Sequence, residues 1–306
     1  MRYEHEHQSG WAGQSTPETF PTIGGLNQTN PSAFNGTYVY NHGDEHPLNW
    51  TVGLNYEVTH QLSVYARYAE SYQTNGANQP IGLRLYEAGI TYAGYGFIGT
   101  VRPFRTLYDN LSVGAGQLPG DLNLTQGFFA NSDTNGVDLD LTYRPTWETL
   151  HAFSIHGQLT YQESTYNNVS VGVISGTGQA TSQAYATEYD GKVTAHTPSQ
   201  MYMITPQYDL PNHLGNVYLR YQYTGRSFAD SGDAVVLPGY GVLSAGGNVN
   251  LTQRLNLNLS VENVNDAFGL TEGNPRQGFT QSVVNGYFYG RGITGTNAMA
   301  QLTYKF

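Results

Sequence analysis

The sequence predicts an all-β fold, an antiparallel up-and-down transmembrane β-barrel of about 12 strands. Apolar and polar residues alternate with a period of two in one segment after another, which is typical of strands with one apolar face. Only 12% of the 306 residues are charged, against about 25% in an average protein. No run approaches the roughly twenty apolar residues of a membrane-spanning helix, so a membrane protein with this sequence must span as a barrel.

Strand predictions cover most of the chain. In residues 50–58 every second side chain is apolar, and the same alternation recurs up to the final residue, Phe306. Each run has roughly the ten residues that a tilted strand needs to cross a bilayer. The predicted strands are residues 1–9, 50–58, 62–69, 86–92, 97–109, 137–143, 153–161, 199–210, 217–223, 243–251, 255–262 and 298–306.

The predicted connections alternate strictly between short and long. Short ones lie near residues 59–60, 93–96, 145–149, 211–214 and 252–254. Long ones, rich in Gly, Asn and Thr, cover residues 10–46, 74–81, 110–133, 163–198, 225–238 and 265–292. Short turns at one end and long loops at the other are the plan of a transmembrane barrel, whereas a soluble sandwich mixes lengths at both ends.

Charge keeps to one of the two predicted faces. A Lys or Arg that faces lipid at mid-bilayer costs about 2–4 kcal/mol, whereas one that faces a water-filled lumen is solvated. None of the assigned apolar positions is charged, and the polar positions include Glu57, Arg67, Asp138, Asp140, Arg144, Arg220 and Glu262. A two-sheet sandwich also keeps charge off one face, so this distribution favours a barrel without requiring one.

Two further features of the sequence give expectations. Pro206 lies within the predicted strand 199–210 and lacks an N–H group, so we expect a bulge or a shifted strand boundary there. Residues 1–7 contain no apolar core of a signal peptide, and we expect the chain to be a piece of something longer. The net charge of −10 argues against nucleic acid as a partner, and the sequence predicts no cofactor.

In order and spacing, the strands resemble the carboxyl-terminal half of the barrel of a TonB-dependent outer-membrane receptor. The resemblance is carried by residues 49–56, 62–68, 86–92, 135–141, 219–226, 237–243, 257–269 and 290–306. Such receptors enclose an amino-terminal plug in a barrel of roughly 22 strands and import bulky nutrients, most often ferric siderophores, with energy from the TonB complex. The resemblance therefore implies a multi-pass bacterial outer-membrane transport protein and not an enzyme.

The resemblance also implies a domain plan and partners. Residues 1–306 would form a single barrel portion with no plug domain, so the TonB complex would act only through a plug that this sequence lacks. Outer-membrane lipid would surround the barrel. Tyr304 and Phe306 resemble the terminal aromatic signal that the barrel-assembly machinery recognises.

A ligand site is expected in the outer loops and the upper lumen. Cationic and aromatic side chains there would suit an anionic, catechol-bearing iron chelate. For residues 287–289 an aromatic girdle at the membrane interface is an equally good interpretation. The candidate ligand-binding residues are Arg226, Phe228, Arg276, Tyr287, Tyr289 and Arg291, with Tyr166, Tyr185, Tyr189 and Phe288 as further aromatic candidates.

Other chemistry is less well supported by the sequence. His5 and His7 could join a metal site, but polar residues at a barrel rim are the better interpretation, and no metal site is predicted. His156 projects with Ser154 toward the polar face without an orienting third group, so no catalytic residue is predicted. Two alternative functions remain: a small self-closing barrel that acts as a passive pore or surface enzyme, and a soluble β-sandwich that binds a ligand.

Overall fold

The structure is a computed structural model in which nearly all of the described chain is β-strand. It describes residues 2–3, 6–15, 18–19, 29–30, 34–45, 48–75, 79–118, 121–172, 189–233, 235–274 and 289–306. Side chains are described from residue 48 onward, except for residues 73–80, 112–128, 170–188, 234 and 274–289. The strands are β1 (Arg2–Tyr3), β2 (Glu6–Ser15), β3 (Glu18–Thr19), β4 (Thr29–Asn30), β5 (Phe34–Glu45), β6 (Leu48–Thr59), β7 (Leu62–Asn75), β8 (Gln79–Gly94), β9 (Phe97–Leu118), β10 (Asp121–Tyr143), β11 (Phe153–Gly172), β12 (Gln200–Leu210), β13 (Gly215–Thr224), β14 (Ser227–Phe228), β15 (Val236–Leu237), β16 (Tyr240–Asn250), β17 (Leu255–Glu262), β18 (Leu270–Asn274), β19 (Tyr289–Gly292) and β20 (Asn297–Tyr304).

Twelve of these strands form one sheet in the order β1-β6-β7-β8-β9-β10-β11-β12-β13-β16-β17-β20. Strands that are consecutive in this order run antiparallel wherever their register is described, so the predicted all-β, up-and-down fold is confirmed. The five predicted short turns are all present, including the 3-10 helix Pro211–His213 between β12 and β13. Within the described ranges β20 has one neighbour, β17. No helix in those ranges is long and apolar enough to cross a membrane.

The chain divides into two compact units. The first comprises residues 1–50 and 71–81, and the second comprises residues 51–70 and 82–306. In the first unit, β2 pairs with β5 in a hairpin in which Trp11 lies opposite Tyr40. The prediction of a loop over residues 10–46 was therefore wrong for most of its length. His7 lies in β2 opposite Asp44, and His5 falls outside the described residues.

Strands β9 and β10 are much longer than predicted. They have 22 and 23 residues, so the interval 110–133 that was predicted as a loop is mostly paired strand. At about 3.3 Å per residue, 22 residues extend about 70 Å, more than a bilayer core requires. Beyond the bilayer neither face of a hairpin needs to be apolar, yet cross-strand hydrogen bonds still satisfy its backbone. The alternation therefore stops before the strands do.

Pro206 is accommodated without a bulge, contrary to the expectation. β12 keeps one register with β11 through the pair Ile155↔Pro206, and its boundaries are not displaced. On the other side, the pairs with β13 skip Thr205 and Pro206 and resume in the same register at Gln207. The missing N–H group therefore interrupts the hydrogen bonds between β12 and β13 locally. The pairing of β12 with β11 is continuous and keeps the strand in place.

The second unit exposes its apolar residues on one face of the sheet. Leu257 lies opposite Leu302 and Leu259 opposite Ala300 across β17 and β20, and Leu302 is 62% exposed. Among the side chains that the structure describes, the buried apolar residues lie in β10, in β11 and between residues 189 and 237, and not under this face: Ala130, Tyr166, Val169, Tyr189, Ala229 and Leu237. The exposed apolar face is what a sheet surrounded by lipid requires.

Candidate functional site: the polar face and the outer loop cluster

The polar face of the second unit carries a series of ion pairs between neighbouring strands. Arg67 pairs with Glu87 at 3.3 Å, and the Tyr65 hydroxyl donates to the same carboxylate at 2.7 Å. Further along, Arg102 approaches Asp138 at 4.0 Å. Most of the charged residues predicted to share this face therefore meet partners across the strands, as Arg144 does with Asp209 and Arg220 with Glu262.

An outer loop cluster lies at the end of β11 that is opposite the short turns. We define the outer loop cluster as residues 164–169, 189–197, 227–233 and 235–237. Its segment 189–197 runs alongside β11: Lys192 and Tyr166 are joined by a backbone hydrogen bond of 2.8 Å, and Thr194 and Ser164 by one of 3.0 Å. The Ala195 N–H also donates to the Tyr166 hydroxyl at 3.1 Å. The segment is thus fixed to the strand by both backbone and side-chain bonds.

Four hydroxyl groups connect this cluster to the polar face. Ser164 is 2.7 Å from both Thr134 and Thr194, and Ser132 is 3.1 Å from Thr194. Ser132 and Ser164 are 3% and 5% exposed. Buried hydroxyls need partners, and these four supply partners to one another: Ser164 donates to Thr194 and has Thr134 as its other neighbour.

The hairpin β14–β15 forms the second side of the outer loop cluster. The Asp230 carboxylate accepts from the N–H groups of Gly232 and Val235, which closes the turn. The Phe228 carbonyl accepts from His196 at 2.8 Å, and the Asp233 carboxylate accepts from the Val193 N–H at 3.3 Å. Two segments about 35 residues apart are thereby held together.

Asp233 is electrostatically unusual. Burial raises the pKa of its carboxyl, and the Asp230 carboxylate nearby raises it further, whereas the Val193 N–H and Lys192 act in the opposite direction. One carboxylate oxygen of Asp233 is buried without a hydrogen-bond partner among the described residues. A buried charge that is only partly compensated destabilises its surroundings.

Of the predicted ligand-binding residues, three have described side chains. Arg226 is exposed and immediately precedes β14, in which Phe228 is half-buried. Arg291 lies in β19 and forms an exposed ion pair of 3.3 Å with Glu272 of β18. Since β15 lies beside β18, the two hairpins that carry these residues are adjacent.

The other predicted site residues cannot be placed in the same way. Arg276 and Tyr287 lie outside the described residues, as do Tyr185 and Phe288, and only the backbone of Tyr289 is described, at the start of β19. Tyr166 and Tyr189 are 5% and 3% exposed, so they pack inside the outer loop cluster.

From residue 48 onward, the catalytic and metal alternatives gain no supporting geometry. His156 is 3.3 Å from Asp140, which also accepts from Gln158, so the imidazole and this carboxylate belong to the network of the polar face. Among the described side chains, no group of three or more His, Cys, Asp or Glu residues is arranged to hold a metal ion.

Sequence reasoning missed the hydroxyl group contacts and the role of Asp230. The spacing of Asp230 and Gly232 is a turn signal, because an Asp side chain commonly accepts from the backbone two residues later. The hydroxyl cluster had no such signal, since Ser132 and Thr194 are 62 residues apart in the chain.

The closing strand β20 covers most of the predicted strand 298–306 but ends at Tyr304, two residues before the end of the sequence. Tyr304 and Phe306 form an edge-to-face pair with ring centroids 5.2 Å apart, and both rings are exposed. The Lys305 N–H donates to the Arg254 carbonyl at 2.8 Å, which holds the last residues against the preceding turn.

Comparison with known proteins found one family whose model matches most of the chain. This model, described as TonB dependent receptor-like, beta-barrel, matches residues 1–264. No match was found among curated protein sequences.

Solved structures share the fold at low sequence identity. The ferric yersiniabactin uptake receptor FyuA from Yersinia pestis has a TM-score of 0.64 and 16% identity, over 99% of this chain and 42% of its own. The siderophore receptor PiuA from Acinetobacter baumannii has a TM-score of 0.64 and 18% identity, over 99% of this chain and 41% of its own. The copper transporter OprC has a TM-score of 0.65 and 13% identity, over 99% of this chain and 45% of its own. This chain thus spans less than half the length of each.

Proposed function

The chain belongs to the TonB-dependent receptor β-barrel family, and from this premise we propose that it forms part of a receptor that imports a ferric siderophore. Proteins of this family are outer-membrane transport receptors and not enzymes, so the chain is a component of a transport receptor of the bacterial outer membrane. Residues 1–306 are proposed to be one barrel portion, with uptake energised by TonB through a plug outside this sequence.

The observation that best supports a bulky anionic ligand is the exposed Arg226 beside the ordered outer loop cluster. An Arg guanidinium presents five N–H donors in a planar fork and can stack on aromatic rings. Phe228 follows two residues later on the same hairpin. The adjacent hairpin adds Arg291, whose exposed pair with Glu272 is weak enough to be exchanged for a ligand.

The relatives with solved structures are consistent with this ligand class. FyuA and PiuA are described as a ferric yersiniabactin uptake receptor and a siderophore receptor. OprC is described as a copper transporter, so copper has to be tested beside iron.

The test is uptake by cells that produce the full receptor. We expect ⁵⁵Fe to accumulate when it is supplied as a ferric tris(catecholate), and accumulation to stop when TonB is deleted. Accumulation of copper but not of iron would overturn the siderophore assignment. Iron entry that persists without TonB would favour a passive pore and overturn the energised mechanism.

The proposed binding residues need a separate measurement on purified protein. We expect Arg226→Ala to weaken binding of the ferric tris(catecholate) about tenfold, which corresponds to loss of one charge-assisted interaction. Arg254→Ala is the matched control, because Arg254 is an exposed arginine in the short turn between β16 and β17. Equal affinities of the two variants would remove Arg226 from the site.

A further inference from the structure

The hairpin of β2 and β5 in the first unit places two histidines and an aspartate on one face. His7 of β2 lies opposite Asp44 of β5, and Ser9 of β2 lies opposite His42 of β5. Residues that are two positions apart along a strand share a face of the sheet, and so do residues directly opposite each other on paired strands. His7, His42 and Asp44 therefore share one face of the hairpin, and we call them the His–Asp set.

The spacing within the His–Asp set suits three ligands of one ion. His7 and Asp44 occupy directly opposite positions, whose Cβ atoms are about 4.5–5.5 Å apart in an antiparallel pair. His42 is the diagonal neighbour of His7, at no more than about 7–8 Å, and lies two residues before Asp44 on the same strand, at about 7 Å. Two metal–ligand bonds of about 2.0–2.2 Å each, added to the length of two side chains, span any of these separations.

The two faces of this hairpin differ in their chemistry. The register is continuous from the pair Glu6↔Glu45 to the pair Gly13↔Tyr38, so the assignment of faces holds along this whole stretch. The other face carries Glu6 opposite Glu45 and, among the paired residues of these two strands, no histidine. Within the paired stretch, imidazole and carboxylate groups are therefore combined only on the face of the His–Asp set.

Two imidazoles and one carboxylate are a typical ligand set for a divalent transition-metal ion. Imidazole nitrogen binds Zn²⁺, Cu²⁺, Ni²⁺ and Fe²⁺ well, and one carboxylate offsets part of the charge of the ion. Ca²⁺ and Mg²⁺ prefer sites made of oxygen ligands, so this set discriminates against them. We propose that His7, His42 and Asp44 bind one divalent transition-metal ion directly, without a siderophore.

Such an ion would cross-link the two strands of the hairpin. β2 and β5 form a two-stranded sheet, and a two-stranded hairpin by itself is only marginally stable in water. His7 belongs to one strand, and His42 and Asp44 belong to the other, so an ion bound to all three opposes separation of the strands. Binding therefore stabilises the hairpin in proportion to the occupancy of the site.

Isothermal titration calorimetry with zinc chloride tests this proposal. The full receptor is purified in detergent micelles through a tag without histidine and is freed of metal with a chelator. We expect Zn²⁺ to bind with a micromolar or smaller Kd, and Ca²⁺ to bind much more weakly. Absence of Zn²⁺ binding, or Ca²⁺ binding as tight as that of Zn²⁺, would overturn the assignment.

Histidine variants locate the site. His7→Ala and His42→Ala should each weaken Zn²⁺ binding about tenfold or more, because each removes one of three ligands. His60→Ala is the control for loss of a histidine, since His60 is exposed in the short turn between β6 and β7. Unchanged affinity in the two hairpin variants, or an equal loss in the control, would show that the ion is bound elsewhere.

Two neighbouring acidic residues separate a built site from general attraction to negative charge. Asp44→Asn and Glu45→Gln each remove one carboxylate from adjacent positions of β5, but Glu45 lies on the other face, opposite Glu6. We expect about tenfold weaker Zn²⁺ binding for Asp44→Asn and unchanged binding for Glu45→Gln. Equal losses would mean that the ion is attracted by charge alone, and the proposal would fail.

Hydrogen exchange shows where the ion acts. At a Zn²⁺ concentration about 100 times Kd, backbone exchange in residues 7–10 and 41–44 should slow by up to about a hundredfold. His7→Ala should abolish this slowing, while unchanged exchange in β12 and β13 establishes that the variant is folded. Zn²⁺ binding that leaves exchange in β2 and β5 unchanged would exclude the hairpin as its site.

Discussion

Arg220 donates to both carboxylate oxygens of Glu262, at 2.8 and 3.0 Å, although strand β16 lies between their two strands. Ser244 of β16, which is opposite Arg220 in register, donates to the same carboxylate. Three neighbouring strands are thus joined through one acidic side chain on the polar face.

Removal of this arginine should destabilise the sheet moderately. We expect Arg220→Gln to lower the free energy of unfolding by about 1 kcal/mol, since the pair is roughly one-third exposed and partly screened. Urea unfolding in micelles measures the change, with Arg254→Ala as the control. A loss no larger than that of the control would show that the bridge adds nothing to stability.

Asn263 anchors the segment before β20 through three side-chain hydrogen bonds. Its amide nitrogen donates to Ala267 and Thr294 at 3.0 Å, its amide oxygen accepts from the Ala267 N–H at 2.8 Å, and it is 3% exposed. Its φ of 54° also lies where Asn is tolerated better than most residues.

Loss of this amide should therefore be costly. We expect Asn263→Ala to lower the free energy of unfolding by about 3 kcal/mol, and Asn263→Asp to lower it at least as much because both donors are lost. Asn258→Ala, on the polar face of β17, should have a much smaller effect. Comparable losses at the two positions would contradict the anchoring role.

The sequence predicted the strands and short turns well because the membrane imposes a simple rule. Val217 and Leu219 alternate with Tyr218 and Arg220 since one face meets lipid and the other does not. Where β9 and β10 leave the bilayer, apolar and polar side chains no longer have to alternate. The sequence from residue 110 onward therefore could not be distinguished from that of a loop.

The candidate site was less predictable than the strands. Exposure of Arg226 follows from the polar composition around it, but burial of Tyr166 depends on a segment more than twenty residues later. Contacts of this kind arise from tertiary packing and leave no periodic pattern in the sequence.

Glycines beneath aromatic rings account for part of the high Gly and Tyr content. A Cβ at Gly89 would lie 2.2 Å from a carbon of the Tyr65 ring, whereas a Cβ at Gly157 would meet only a backbone oxygen at 3.9 Å. We expect Gly89→Ala to lower the free energy of unfolding by about 1–3 kcal/mol through overpacking. Gly157→Ala should be neutral or slightly stabilising.

Chemical denaturation of Gly89→Ala and Gly157→Ala measures the two changes in the free energy of unfolding. Equal effects at the two positions would mean that glycine flexibility, and not the ring above Gly89, governs the response.

The outer loop cluster should loosen as pH rises. Because the pKa of Asp233 is raised in the folded cluster, its contribution to stability is full below the ordinary pKa of an Asp and is lost as pH rises through the raised value. Hydrogen exchange at the Val193 N–H should therefore be faster at pH 8 than at pH 4, after correction for intrinsic rates. Asp233→Asn should remove this pH dependence, and a pH dependence that persists in the variant would exclude Asp233 as its source.

The terminal aromatic pair should matter for assembly more than for stability. Both rings are exposed, so Phe306→Ala removes little packing and should change unfolding by less than about 1 kcal/mol. If the pair is the signal read by the barrel-assembly machinery, the same variant should sharply reduce the amount of folded receptor in the outer membrane. Lys305→Ala is the control, because the backbone bond from Lys305 to Arg254 survives the substitution. Heat-modifiable mobility of membrane fractions measures folded protein, and normal levels for Phe306→Ala would rule out the signal.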